Sequence, residues 1–205
     1  MNNNAMQMFL TSRIGDGCCT ATSNGAFIVY SSILKDYMLY KHKIASAVVA
    51  CGNVTGSDNS AGFNKKGIIY HFRTHVHKDL GSVAEMSRLD IIKKLDYFGF
   101  MLYYFDDGSY HKAHDTMHIY CNSFSADEVE ELKHKIFELF PVKECRNRID
   151  RKASGKQYPY LYVPKTTTES IVNFYRDFVL SEPLLHCMLY KLGLTLTDYR
   201  KAVTD

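Results

Sequence analysis

Two stretches decide the fold, Ala5-Met-Gln-Met-Phe-Leu-Thr-Ser-Arg-Ile-Gly-Asp-Gly17 and Tyr97-Phe-Gly-Phe-Met-Leu-Tyr-Tyr-Phe-Asp-Asp-Gly108. Each is an apolar segment, compatible with a helix, that ends in Asp-Gly. Glycine readily takes the positive φ that a helix end or a tight turn requires. We therefore predict one helix up to Asp16 and another up to Asp107, each followed by a strand.

The segments after these two stretches also match each other. Asn24-Gly25 separates two β-prone runs, which is a strong hairpin signal, and Thr116-Met-His-Ile-Tyr-Cys121 predicts the return strand of a second hairpin. The first hairpin is followed by a predicted helix from Ser32 to about Lys43. The second is followed by one from Ser125 to about Phe140, with a capping-box pattern at its start.

Each half of the chain then continues with two more predicted strands and a helix. In the first half the strands are Ala47–Cys51 and Gly67–Val76, and in the second they are about Val142–Ile149 and Tyr158–Val163; the closing helices are Leu89–Leu95 and Thr167–Val179. The sequence therefore predicts an α+β protein of two pseudo-symmetric αββαββα modules, residues 1–90 and residues 91–205.

The composition excludes several classes of protein. The chain has 205 residues, 46% hydrophobic and 23% charged, with a formal net charge of +3, so it is neither disordered nor of low complexity. No apolar run approaches the ~20 residues of a membrane span, and the start lacks the pattern of a signal peptide. The six cysteines show no regular spacing, which predicts reduced thiols. We expect a soluble, intracellular protein with no membrane partner.

Several segments resemble the LAGLIDADG homing endonucleases. The resemblance covers nearly the whole chain and rests on Tyr103–Ser109, Asn122–Leu132, Tyr162–Lys165 and the terminal run Pro183–Gly193. The first motif is weaker, since Thr11, Ser12 and Arg13 are polar, although Lys35–Lys41 again looks like the family. The resemblance implies a monomeric pseudo-dimer whose antiparallel β-sheets form a saddle on DNA, with paired motif helices at the module interface.

The resemblance also implies a metal site. Phosphodiester hydrolysis needs an activated water and neutralised phosphate charge, which divalent cations held by carboxylates supply. The acidic residue before the final Gly of each motif is the family's metal ligand, and this role carries over to Asp16 and Asp107, with Mg²⁺ or Mn²⁺ as cofactor. Backbone carbonyls of Gly15 and Asp106 are further candidate ligands. The alternative is that Asp-Gly only ends a helix in each half.

The family places a basic residue beside the scissile phosphate, and the matching position is Lys191. The alternative is a solvated lysine on an ordinary terminal helix. No counterpart in the first half is evident from the sequence, and Arg88 is a guess.

Basic residues concentrate on the predicted hairpins. The segment from Val142 to Lys156 has six basic residues against two acidic ones, and period two puts Arg146 and Arg148 on one strand face. A two-stranded ribbon fits the major groove, so we expect DNA contacts there, although a charged hairpin is also simply a soluble one. The candidate DNA-binding residues are Lys65, Lys66, Arg73, Lys112, Arg146, Arg148, Arg151, Lys152 and Lys156.

The predicted function is a Mg²⁺-dependent endonuclease that cuts both strands of a long duplex site. The alternative of another class is a binding protein of the same fold that does not cut, either a maturase that binds intron RNA or a sequence-specific DNA-binding protein. A third hypothesis, an unrelated α+β protein with accidental Asp-Gly pairs, predicts no two-fold relation between the halves.

Overall fold

The computed structural model describes residues 2–58, 67–142, 144–151 and 155–197. The helices are α1 (Asn3–Thr11), α2 (Lys35–Ser46), α3 (Lys78–Glu85), α4 (Arg88–Lys94), α5 (Tyr97–Asp107), α6 (Ala126–Leu139) and α7 (Lys165–Ser181), followed by a 3₁₀ segment (Pro183–Leu192). The strands are β1 (Gly17–Thr22), β2 (Gly25–Ser32), β3 (Thr55–Asp58), β4 (Ile68–Arg73), β5 (Gly108–His111), β6 (Thr116–Tyr120), β7 (Arg146–Arg151) and β8 (Gln157–Val163).

The strands form two four-stranded antiparallel sheets with the same topology. Their orders are β1-β2-β4-β3 and β5-β6-β8-β7. The predicted hairpin turn lies between β1 and β2, where Thr22 pairs with Gly25 and Gly25 has a φ of 129°. The predicted fold class, two pseudo-symmetric α+β modules with antiparallel sheets, is therefore confirmed. The predicted boundary between residues 90 and 91 falls inside α4 and stays a prediction.

The two modules meet along α1 and α5, which pack against each other. Gln7 of α1 links them: its side-chain amide donates to the Lys94 carbonyl at 2.9 Å, and its side-chain oxygen accepts the Asp96 N–H at 3.1 Å. Gly99 leaves room for this side chain, because a Cβ there would lie 2.2 Å from the Gln7 oxygen. Buried residues from both modules form one hydrophobic cluster around this contact.

The two motif helices end differently. α5 reaches Asp107 as predicted, but α1 ends at Thr11, and the prediction of a helix up to Asp16 is wrong. The Thr11 and Ser12 hydroxyls donate to the carbonyls of Met8 and Phe9, and the next amides tighten into i→i−3 bonds, Arg13 to Leu10 and Ile14 to Thr11. Such local hydroxyl bonds compete with the regular helix, so Asp16 is carried by a turn.

The predicted strand at Ala47–Cys51 is also wrong. α2 continues to Ser46, and the amides of Val48 and Val49 both donate to the Ala45 carbonyl. The apolar run therefore closes the helix and buries Val49, and the bonding of Cys51 to Thr74 is only an isolated bridge. Short apolar runs do not distinguish helix from strand by periodicity alone. α3 and the 3₁₀ segment were not predicted as separate elements.

Two expectations concern the chain as a whole. Within the described ranges, no helix is long and apolar enough to cross a membrane. All six cysteines lie in described residues and are free thiols.

The capping box predicted at the start of α6 is present. The Ser125 hydroxyl accepts the Glu128 N–H at 3.3 Å, and the Glu128 carboxylate accepts the Ser125 N–H at 2.8 Å. We expect Ser125→Ala to lower the free energy of unfolding by about 1 kcal/mol, measured by urea unfolding. Ser170→Ala, an exposed position inside α7, is the matched control and should change it by less than about 0.5 kcal/mol. Equal effects of the two substitutions would contradict a capping role.

Candidate functional site

Asp107 and Asp16 come to the module junction from different local structures. Asp107 is the last residue of α5, and Gly108 begins β5 directly after it. A Cβ on Gly108 would lie 2.1 Å from the Tyr104 ring, so only glycine allows the chain to leave the helix here. Asp16 lies in the turn between α1 and β1 and is an exposed residue, whereas Asp107 is half-buried.

Asp106 lies between the two aspartates but points into the protein. Its carboxylate accepts from Lys41 Nζ at 2.7 and 2.9 Å and from the Tyr37 hydroxyl at 2.8 Å. The side chains of Lys41 and Asp106 are 0% and 1% exposed, so this is a buried ion pair between α2 and α5. The Asp106 carboxylate also accepts the backbone N–H of Asp16 at 3.3 Å.

Gly15 is a glycine because Asp106 occupies the space beside it. A Cβ on Gly15 would lie 2.7 Å from Asp106 Oδ2. Gly15 lies beyond the end of α1, so its small size accommodates this carboxylate and does not serve helix packing. The backbone carbonyls of Gly15 and Asp106 stay candidate ligands.

Lys191 reaches the same junction from the 3₁₀ segment. Its ammonium donates to the Gly108 carbonyl, and its own carbonyl accepts the Tyr104 hydroxyl at 2.6 Å. Burial lowers the pKa of Lys191, while the carboxylates of Asp106, Asp16 and Asp107 act in the opposite direction. Lys191 is thus held near both aspartates, and its expected place beside the scissile phosphate stays a prediction.

Burial and neighbouring negative charge raise the pKa values of Asp16 and Asp107. Burial, followed by the charge of Asp106, raises the pKa of Asp16 to about 6. Burial and then the charges of Asp16 and Asp106 raise the pKa of Asp107 to about 7. Carboxylates forced together in this way favour a proton or a cation between them.

The donor set fits a hard divalent cation. Two carboxylates, backbone carbonyls, water and phosphate oxygens are the ligands that Mg²⁺ prefers. In the described part of the chain, no three His, Cys, Asp or Glu side chains group as metal ligands, so Asp16 and Asp107 would supply the side-chain part of the site. A cleft of about 340 Å³ opens beside this centre, lined among others by Asp16, Tyr37, Asp106, Tyr190 and Lys191.

The outer face of the second sheet carries rings and guanidinium groups. Arg146 pairs with Tyr162 and Arg148 with Tyr160, so both arginines share one face, as predicted from their spacing. His118 stacks on Tyr160 with ring centroids 4.4 Å apart, and its pKa is lowered to about 4 by burial and then by His111. The depression between these side chains has a volume of about 420 Å³. Arg146 also bonds to Glu144 through its guanidinium.

The outer face of the first sheet has a different character. Arg73 lies with its guanidinium carbon 3.6 Å from the centroid of the Phe27 ring, a cation–π contact that holds the group over this ring. Its register partner Val29 is on the same face, and His71 is hydrogen-bonded to Thr55 at 3.1 Å. Arg73 is therefore a preoriented cation, and the other side chains on the described part of this face are uncharged.

The remaining candidate DNA contacts are placed as follows. Lys112 and Lys156 are exposed beside the strands of the second sheet, and Arg151 ends β7. Lys65, Lys66 and Lys152 lie outside the described residues.

Arg88 is not the basic residue of the first half. It donates to the Ser123 carbonyl at 2.6 Å and to Glu128 at 3.0 Å, at the start of α6 and away from the junction. The cation supplied by the first half is Lys41, which sequence reasoning missed. One signal was present: Met-Leu-Tyr-Lys occurs at 38–41 and again at 188–191. The two copies lie on α2 and on the 3₁₀ segment, which pack against each other, and each delivers its lysine to the aspartates.

Two like modules that meet along their motif helices, with one aspartate from each at the junction, define a class of fold known as LAGLIDADG. The model of the LAGLIDADG DNA endonuclease family matches residues 12–171. The chain therefore belongs to the LAGLIDADG DNA endonuclease family. A sequence comparison with the curated proteins gives no match.

Solved structures agree with this fold. The homing endonuclease I-WcaI bound to its DNA recognition sequence superposes with a TM-score of 0.73 at 16% identity, covering 95% of this chain and 87% of that one. The N-terminal LAGLIDADG domain of DUF199/WhiA gives 0.53 at 11% identity, covering 84% and 79%. I-DmoI in complex with DNA and Ca gives 0.51 at 15% identity, covering 90% and 93%. At these identities the likeness establishes the fold alone.

The raised pKa of Asp107 predicts that the free energy of unfolding depends on pH in the absence of divalent cations. An aspartate has a pKa near 3.8 when unperturbed and about 7 here, so the folded state holds more protons than the unfolded state in between. Stability therefore falls as pH rises from about 4 to 7. At pH 8 without metal, we expect the free energy of unfolding of Asp107→Asn to exceed that of wild type by about 1 kcal/mol, a value reduced for solvent screening.

The measurement is urea unfolding at pH 4 and pH 8 in EDTA, then at pH 8 with Ca²⁺. The advantage of the variant should vanish at pH 4, and Ca²⁺ should reverse it by stabilising only wild type. An advantage of equal size at both pH values would contradict the assignment of Asp107 to a crowded carboxylate centre.

Proposed function

We propose that the chain is a site-specific endonuclease that hydrolyses both strands of a long duplex DNA site, with Mg²⁺ or Mn²⁺ held between Asp16 and Asp107. The observation that carries the proposal is the meeting of one aspartate from each module. Burial and the charge of Asp106 raise the pKa of Asp16, and burial with the charges of Asp16 and Asp106 raises that of Asp107. Membership of the endonuclease family supports the reaction class.

The residues of the centre have distinct roles in this proposal. A bound divalent cation supplies an activated water and neutralises charge on the phosphate. Asp16 and Asp107 hold the cation, with the carbonyls of Gly15 and Asp106 as further oxygen donors. Lys191, half-buried beside both aspartates, places its ammonium where negative charge develops on the scissile phosphate.

The two outer sheet faces form the proposed DNA-binding saddle. The described cations on or beside it are Arg73, Lys112, Arg146, Arg148 and Lys156, and Lys65, Lys66, Arg151 and Lys152 extend the proposal along the same hairpins. Because one chain provides both sheets and both aspartates, we propose that it acts as a monomer. Long sites suit this arrangement, since two ribbons can follow two segments of the major groove.

Loss of either aspartate should abolish cutting without abolishing DNA binding. We expect Asp107→Asn or Asp16→Asn to slow hydrolysis by roughly 100-fold or more, because the cation loses a ligand, while the Kd for duplex DNA in Ca²⁺-free buffer changes little. A bound duplex is first selected from a random library, and cutting of a plasmid that carries it is then followed on gels. Asp79→Asn, an exposed aspartate at the start of α3, is the control.

Undiminished cutting by Asp107→Asn would overturn the catalytic assignment. Tight binding of structured RNA in EDTA by a wild-type protein that cuts no selected duplex would instead establish the maturase function.

The stacked Arg73 should read a base, whereas exposed lysines should hold phosphates. A guanidinium held over Phe27 has already lost part of the freedom that binding would cost, and its edge can bond two acceptors of guanine. We expect Arg73→Lys to cost about 1–3 kcal/mol of binding at one guanine position. Lys112→Met should weaken all duplexes alike and reduce the salt dependence by about one unit. Equal effects of both variants on matched and mismatched duplexes would contradict base reading by Arg73.

A further inference from the structure

Lys41 is buried more deeply than the proposed reaction requires of a cation. Its ammonium has no exposed surface, lies 4.5 Å from the Tyr37 ring centroid and 5.3 Å from that of Tyr30, and bonds both oxygens of Asp106. It therefore cannot touch DNA or water-borne substrate. A buried lysine is tolerated only when it is paired, so Lys41 acts on the site through its partner Asp106.

Asp106 in turn connects to the turn that carries Asp16. Besides the bonds from Lys41 and Tyr37, its carboxylate accepts the Asp16 backbone N–H at 3.3 Å. The missing side chain of Gly15 leaves the space in which this carboxylate lies, 2.7 Å from where a Cβ would be. The turn has no regular helix to hold it, because α1 ends at Thr11.

We propose that Lys41 is a positioning residue that orients Asp106, so that Asp106 anchors the Asp16 turn at the module junction. This inference rests on the proposed function for its catalytic consequence. The chain of contacts runs from α2 of the first module, through α5 of the second, and back to the first motif. It fixes Asp16 against Asp107 across the junction, and Asp106 serves as an anchor whose carboxylate is buried against Lys41.

Paired substitutions separate this role from simple folding. Lys41→Met alone leaves a buried carboxylate without its cation and is expected to fold poorly. Two double variants remove both charges: Lys41→Met with Asp106→Asn keeps a side-chain carbonyl that can accept the Asp16 N–H, and Lys41→Met with Asp106→Leu keeps none. Replacing a buried ion pair with uncharged groups of similar shape is often tolerated, so both are expected to fold. Lys43→Met, on the exposed face of α2 and paired with Glu182, is the matched control.

The first readout needs neither metal nor DNA. Hydrogen exchange at the Asp16 amide should be about tenfold faster in the leucine double variant than in wild type, and close to wild type in the asparagine variant and in Lys43→Met. Amides of the β1–β2 hairpin should be unchanged in all of them.

The second readout is the cutting of saturating duplex with saturating Mg²⁺. The leucine double variant should cut about 100-fold more slowly with an unchanged Kd for DNA, because misplacement of one ligand affects the rate rather than binding. The asparagine variant should recover most of that loss. Wild-type exchange and cutting in a folded leucine variant would overturn the proposal. If wild type itself does not cut, the proposed function fails, and exchange at Asp16 still decides the anchoring role.

Discussion

The ion pair between Lys41 and Asp106 is the interaction on which the junction depends. Three aspartates, Asp16, Asp106 and Asp107, meet where the modules join, and like charges at such range repel strongly away from water. Lys41 offsets this by placing a cation inside the protein, with Tyr37 completing the hydrogen bonds of Asp106. The carboxylates of Asp16 and Asp107 are left together, and burial and neighbouring negative charge raise the pKa values of both. Asp106 thus has a structural partner in Lys41, while Asp16 and Asp107 stay available at the junction.

This division makes the halves unequal despite their matching sheets. The second motif supplies two adjacent aspartates and a complete helix, whereas the first supplies one aspartate on a turn with Gly15 beside it. The two Met-Leu-Tyr-Lys segments show the same inequality. One lysine is sealed in the interior and the other is half-buried at the surface of the centre. The same four-residue sequence therefore occupies two structurally different positions around a single site.

Local signals in the sequence were sufficient for much of the fold. The Asn24-Gly25 turn, the Ser125 capping box and the α5 ending at Asp107 each depend on neighbouring residues, and each was predicted correctly. The errors arose where a distant partner or competing bonds decide the outcome. Hydroxyl groups end α1 early, and Val48 and Val49 close a helix. Lys41 belongs to the site only through its ion pair with Asp106, which lies far along the chain. Asp16, Asp107 and Lys191 were predicted because their motifs are short and contiguous, although their catalytic roles remain a proposal.

The net charge of +3 conceals a contrast between the two outer faces. The second sheet presents stacked His118 and Tyr160 beside Arg146 and Arg148, and the first presents one arginine held over Phe27 among uncharged side chains. Aromatic rings and guanidinium groups contact bases and phosphates by different physics from hydroxyl and aliphatic groups. On the proposed function, a duplex read by such unlike surfaces cannot be a palindrome in its contacts, because the two half-sites must satisfy different donors and different shapes. The fusion of two modules in one chain permits this divergence, since each half is free to change without its copy changing with it.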